Sequence, residues 1–91
     1  MGILQQIREK VTNRTYYLSS HAEEEMWADS LERTDIENAI LKGRIEKKLT
    51  CDLRGTRYCV GGPSLDLRTI HIICRFDERS ELLIIITVYV L

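Results

Sequence analysis

Ile84-Ile85-Ile86-Thr87-Val88-Tyr89 is the stretch that decides how this 91-residue chain folds. It is apolar on both of the faces a strand presents. That suits a strand with a neighbour on either side and not one at a sheet edge. The run closes on Tyr89, whose hydroxyl is equipped for hydrogen-bond or acid–base work.

Working outward, residues 77–81 form a polar loop. Thr69 to Phe76, before it, alternates with Ile70, Ile72, Cys74 and Phe76 on one side. Strands joined by so short a loop pair antiparallel. Symmetric closure of the loop sets Arg75 opposite Leu83, Ile73 opposite Ile85, His71 opposite Thr87 and Thr69 opposite Tyr89. The other face, Ile70, Ile72, Cys74 and Phe76 with Leu82, Ile84, Ile86 and Val88, carries no charge and is the one for helices to cover. His71, Arg75 and Tyr89 then share the open face, where a functional site would lie.

Upstream, Arg57 to Val60 reads as a strand that Gly61-Gly62-Pro63-Ser64 breaks. Asp52 to Thr56 reads as a turn. Before it, Ile45, Lys47, Leu49 and Cys51 alternate with Glu46, Lys48 and Thr50 along another strand. Two helices precede these strands. Thr34 with Glu37 forms a capping box, Asp35 suits the positive helix end, Ile36, Ala39 and Ile40 face inward, and Lys42-Gly43 ends the helix. Ser20 with Glu23 forms a second box, starting a helix near His21 with Ala22 and Met26 buried. Thr15 to Leu18 is β-prone, and Ile3, Leu4, Ile7 and Val11 line one side of a leading helix. The pattern predicts an α+β fold: an antiparallel sheet of four or five strands with N-terminal helices packed on one face, in one domain spanning residues 1–91.

Composition is that of an ordinary globular protein, 44% hydrophobic and 30% charged. No apolar stretch reaches the about 18 to 20 residues that cross a bilayer. The first residues show no signal-peptide pattern, so a cytoplasmic location and no membrane partner are expected. A chain this short buries a modest core, which makes a homodimer or another partner unsurprising. Formal net charge is −1 but uneven: residues 1–41 hold four basic and eight acidic side chains, and residues 42–91 hold nine basic and six acidic. Cys51, Cys59 and Cys74 are odd in number and read as free buried thiols. Two histidines and three cysteines without C-x-x-C or H-x-x-x-H spacing predict no metal site, and no cofactor is expected.

Taken together, Ser20-His21-Ala22, Thr34-Asp35-Ile36-Glu37, Lys42-Gly43, Arg57-Tyr58, Gly61-Gly62 and Ile86-Thr87-Val88-Tyr89 resemble an uncharacterised "domain of unknown function" family of short prokaryotic proteins, grouped with the RelE/ParE/BrnT toxin superfamily. The resemblance covers residues 15 to 90 and leaves residues 1–14, the leading helix, outside. It implies helices on one face of a curved antiparallel sheet. It also implies metal-independent cleavage of RNA, often on the ribosome, and neutralisation by an antitoxin protein. ParE-like relatives act on gyrase instead, so the fold alone does not name the target. By position, Arg57 and Arg75 match the strand arginines of the RelE-like ribonucleases, Tyr89 their C-terminal tyrosine, and Lys47 or Lys48 their strand lysines.

Each candidate has a plainer reading beside the functional one. His21 is an acid–base group or a hydrogen-bonding helix start. His71 is a substrate-binding group or a surface histidine. Arg57 and Arg75 hold phosphate or form routine ion pairs. Tyr89 supplies a catalytic hydroxyl or packs its ring. Lys47 binds substrate or covers apolar surface with its stem. Trp27 points away from Ala22 and Met26 and either anchors a partner or packs on the first helix. Two functions follow: a toxin module acting as an RNA endonuclease, with Arg57, Arg75, Tyr89 and His21 catalytic and Lys47, Lys48 and His71 binding substrate; or a non-catalytic protein-interaction module of the same fold.

Overall fold

The apolar stripe of the leading helix has to find a surface, and the sheet provides it. The computed structural model describes residues 2–50 and 55–91. In chain order the elements are α1 (Ile3–Thr12), β1 (Tyr16–Leu18), α2 (Ser20–Ala28), α3 (Arg33–Lys42), β2 (Arg44–Leu49), β3 (Arg57–Pro63), β4 (Thr69–Phe76) and β5 (Leu83–Val90). Cys51 and the 52–54 part of the expected turn lie outside the described residues.

The strands form one sheet in the order β1-β5-β4-β3-β2. The apolar run of residues 84–89, in β5, therefore has a neighbour on each side, as its two apolar faces require. Neighbours are antiparallel except β1, which runs parallel to β5, making the sheet mixed where antiparallel pairing was expected. The reason is the connection. The chain between β1 and β5 passes through α2, α3, β2, β3 and β4, and a parallel pair needs a long connection of that kind where a tight hairpin would make the pair antiparallel.

The helices share one buried cluster with the inner side of the sheet. Ile7 and Val11 of α1, Ala22 and Met26 of α2, and Ile36, Ala39 and Ile40 of α3 meet Val60, Ile70, Ile72, Cys74, Leu83, Ile85 and Val88. Burying each valine, leucine, isoleucine or methionine of that set contributes about 1.5–3 kcal/mol.

Both helix starts lie earlier than the motifs suggested. The cap of α2 is Ser19, not Ser20. Its Oγ accepts from the Ala22 amide at 3.0 Å and donates to the Ile86 carbonyl at 2.9 Å. Ser19 stands where the chain leaves β1, so one hydroxyl serves both helix and strand. The cap of α3 is Glu32, not Thr34. Its amide donates to Asp35 Oδ2 at 2.9 Å, while Asp35 Oδ1 accepts from the Leu65 amide at 2.8 Å. Asp35 is buried, and two backbone donors make that tolerable for a carboxylate. The far end of α3 is closed by Arg8 from α1, whose guanidinium donates to the carbonyls of Ile40 at 3.0 Å and Gly43 at 2.8 Å. A cation there meets the negative end of the helix.

Gly61-Gly62-Pro63 does not break β3; the strand runs through it. The glycines are there for close approach. A Cβ on Gly62 would stand 2.2 Å from the Ala39 carbonyl oxygen, and one on Gly43 would stand 2.1 Å from that of Gly61. Helix α3 therefore rests directly on strand backbone, which only glycine permits.

Two bulges alter the expected registers. Between β2 and β3, Ile45 pairs with Val60 but Lys47 pairs with Cys59, so Ile45 and Lys47 no longer share a face. Between β4 and β5, Phe76 pairs with Leu83, Arg75 with Ile84 and Cys74 with Ile85, then Ile73 with Thr87 and His71 with Tyr89, leaving Ile86 as the extra residue. Closure of the hairpin with Phe76 opposite Leu83 turns Leu83 and Ile85 inward in place of Leu82, Ile84 and Ile86. Val88 stays inward, as expected. The bulge is held beside α2. The Ser19 amide donates to the Ile85 carbonyl at 3.0 Å, and Glu25 Oε1 accepts from the Val88 amide at 2.9 Å. Bulges of this kind re-aim side chains next to functional sites.

Candidate functional site

The open face of the sheet carries the chemistry. His71 and Tyr89 are cross-strand partners on it. His71 Nδ1 lies 3.1 Å from the Tyr89 hydroxyl and 3.4 Å from Cys59 Sγ. The two rings are 5.4 Å apart at 59°. One ring nitrogen thus serves two neighbours: it either accepts from them or donates its single proton to one. Tyr89 is 38% exposed, so its side chain stands at the surface of the open face.

Burial raises the Tyr89 pKa above its usual value, with the Cys59 charge adding to the effect. Burial also raises the Cys59 pKa, against the Tyr89 hydrogen bond and the Lys47 charge, which lower it. Both groups hold their protons at neutral pH. Tyr89 is accordingly suited to give a proton and not to take one, and Cys59 is a poor nucleophile. Cys74, on the covered side, is pushed up to about 12 by burial. Cys59 and Cys74 are free thiols, as expected; Cys51 lies outside the described residues.

Around this cluster stand groups from β2 and β3. Lys47 pairs with Cys59 in register. Gly61 pairs with His71, and a Cβ there would lie 2.8 Å from Glu46 Cγ and 3.1 Å from His71 Cδ2. The bare glycine makes room for the Glu46 side chain and the imidazole together. Glu46 in turn accepts from Arg44 Nε at 3.1 Å.

The two arginines form a second group. Arg57 and Arg75 line a hollow of ≈ 200 Å³ together with Ile84 and Ile86. Arg75 also pairs with Asp77 at 3.5 Å and borders a larger hollow of ≈ 500 Å³ with Tyr58 and Arg79. Four residues of strand separate Arg75 from His71, about 13 Å at the usual rise. Arginines and tyrosine therefore share a face but do not line one hollow.

The remaining candidates lie elsewhere. His21 sits on α2, exposed, with Nε2 3.3 Å from Glu25, and does not join the open-face cluster. Lys48 pairs with Tyr58, whose ring is in the core, so strand alternation sets it on the opposite side from Lys47. Trp27 does not pack on α1; it is 87% exposed. Among the described residues, no group of three His, Cys, Asp or Glu side chains is arranged to hold a metal ion.

Sequence reasoning missed Cys59 and Glu46 as neighbours of His71. Cys59 was legible, since it alternates with Arg57 and so shares its face. Glu46 was not, because its approach to His71 depends on the pairing of β2 with β3 and on the space left by Gly61.

A family model matches residues 18–90, from the end of β1 to the end of β5. The chain belongs to the family of the domain of unknown function DUF4258. No curated protein and no solved structure matches it. The DUF4258 match leaves out α1, as the resemblance did, although Arg8 of that helix closes the end of α3. It spans every residue of the His71–Tyr89 cluster and of the arginine hollow.

Proposed function

We propose that this DUF4258 protein is the toxin of a toxin–antitoxin pair, related in fold to RelE and ParE, and that it cleaves RNA on the open face of its sheet without a metal. The observation that carries the reading is the His71–Tyr89 pair, 3.1 Å apart on a sheet face that also bears Lys47, Arg57 and Arg75. RNA cleavage by its own 2′-hydroxyl needs a base for that hydroxyl, a cation for the phosphate and an acid for the leaving oxygen.

The geometry suggests how the roles divide. His71 Nε2 takes the 2′-hydroxyl proton while Nδ1–H donates to the Tyr89 oxygen. The 2′-oxygen bonds to phosphorus, the bond to the 5′-oxygen breaks, and Tyr89 gives that oxygen its proton. The products are a 2′,3′-cyclic phosphate and a 5′-hydroxyl. The Nδ1 proton then passes across the hydrogen bond to restore Tyr89. Lys47 holds the reacting phosphate, and Arg57 and Arg75 hold a neighbouring nucleotide. This makes His71 catalytic and not merely substrate-binding. It also gives the arginines a binding role in place of a catalytic one.

The test is incubation of purified protein with single-stranded RNA in the presence of a chelator. Cyclic-phosphate ends from wild type, lost in Tyr89→Phe and His71→Ala, support the proposal. Intact RNA under conditions where a RelE-like relative cuts it ends the proposal. The rival reading, an interaction module, draws on the exposed Trp27. Induced growth arrest that depends on Tyr89 separates the two, because an interaction module would not need that hydroxyl.

A further inference from the structure

The acidic half of the molecule carries a surface that the RNA reading does not use. Trp27 projects from α2 with 87% of its surface exposed. Beside it is a hollow of ≈ 460 Å³ lined by Met26, Trp27, Ser30, Leu31 and Glu32. Its apolar floor is built into the fold: Met26 and Leu31 are each 6% exposed, and the Leu31 amide donates to the Met26 carbonyl at 2.8 Å.

Acidic side chains predominate around the hollow. Residues 20–32 contain Glu23, Glu24, Glu25, Asp29 and Glu32 and no lysine or arginine. Glu25 is engaged by the Val88 amide, while Glu23, Glu24 and Glu32 are exposed. The nearby cations are turned to other partners. Arg68, at the wall of the hollow, is held by Asp66 at 2.9 Å and by the carbonyls of Asp29 at 2.6 Å and Ser30 at 3.4 Å, and Arg33 lies over the Tyr16 ring at 5.3 Å.

We propose that the Trp27 hollow docks a basic amphipathic helix of a partner protein. An apolar side chain of that helix would fill the space over Met26 and Leu31. Its lysines or arginines would meet Glu23, Glu24 and Glu32 and lie against the indole face. Exposed tryptophan beside a preformed hollow is the usual anchor of such contacts. The acidic rim decides among occupants, since it repels a nucleic-acid backbone and an anionic membrane surface alike. The site is distinct from the open face, so a partner here leaves the RNA face accessible.

Trp27 is the chain's one tryptophan, so its emission reports the site directly. The full chain is titrated with a leucine–lysine amphipathic helical peptide and, separately, with a leucine–glutamate peptide of the same pattern. A saturable blue shift with the basic peptide alone is expected. With labelled peptide, Glu23→Lys/Glu24→Lys lowers affinity about 10-fold and Trp27→Ala about 30-fold. Circular dichroism confirms that both variants are folded. RNA cleavage, where present, is unchanged in Trp27→Ala. Equal binding of the two peptides, or undiminished binding by either variant, overturns the proposal. So does self-association lost in Trp27→Ala, which would make the occupant a second copy of this chain.

Discussion

The two faces of one sheet have opposite characters, though the same three strands build them. On the covered face Val60, Ile70, Ile72, Cys74, Leu83, Ile85 and Val88 are all fully buried. On the open face Arg57, His71, Ile73, Arg75, Ile84 and Ile86 are each half-buried. The covered face is fixed by packing. Its glycine contacts leave no room for a Cβ, and its cysteine is held neutral. The open face keeps polar groups near water, where they pair in twos and threes without being locked. Strength and reactivity are thus separated by the alternation of the strand, one residue apart.

That separation can be broken most forcefully from the covered side. Ile72→Ala should cost about 3–4 kcal/mol of unfolding free energy. Its neighbour on the open face, Ile73→Ala, should cost about 1 kcal/mol or less, since its half-exposed site can be filled by water. Urea denaturation of the two variants measures the contrast, and similar costs would mean that a partner or a second layer covers the open face in solution.

Activity should show the reverse sensitivity. Tyr89→Phe is expected to lower RNA cleavage about 100-fold, the usual scale for loss of a general acid, while the denaturation midpoint stays within experimental error. A matching loss of stability would assign the hydroxyl a structural role. Arg57→Ala and Arg75→Ala sit between these extremes. Placed away from the His71–Tyr89 pair, each should raise KM about 10-fold more than it lowers kcat. Steady-state kinetics on a short RNA decides this. An effect confined to kcat would bring the arginines back into the reacting centre.

The smallest effect is the one tied to pH. Burial raises the Cys74 thiol from 9.0 to about 12, so the unfolded chain ionises first as pH rises. The contribution to stability is complete below pH 9 and is lost as pH climbs toward about 12. The loss should reach about 1 kcal/mol by pH 10. Cys74→Val removes that slope. An unchanged alkaline slope in the variant would move the effect to other groups.

How much of this was legible varies with the residue. Tyr89 and His71 could be placed on one face from alternation alone, and their direct pairing could not. Symmetric closure sets His71 against Thr87; the loop closes one residue further along, with Arg75 opposite Ile84, and the Ile86 bulge adds the second step to Tyr89. Lys47 and Lys48 looked like equivalent candidates, yet the β2 bulge puts only Lys47 beside Cys59. His21 looked like a candidate because of the motif around it, but its partner is Glu25 on its own helix. Gly61-Gly62 read as a strand break because glycine usually marks one, and here it marks contact with α3.

Local sequence determined the strands and helices, the interior place of β5, the uncharged face of β4 and the sign of charge in each half of the chain. These follow from periodicity, propensity and composition, which act over a few residues. Only the tertiary structure decided the parallel docking of β1, the two bulges, the helix caps at Ser19 and Glu32, and the division of the cationic residues into two groups. Each of these depends on which distant backbone group supplies a hydrogen-bond partner or a close contact. Ser19 finds Ile86, Asp35 finds Leu65, and Ala39 meets Gly62. No pattern within a single segment contains that choice, because the partner is set by where the rest of the chain comes to lie.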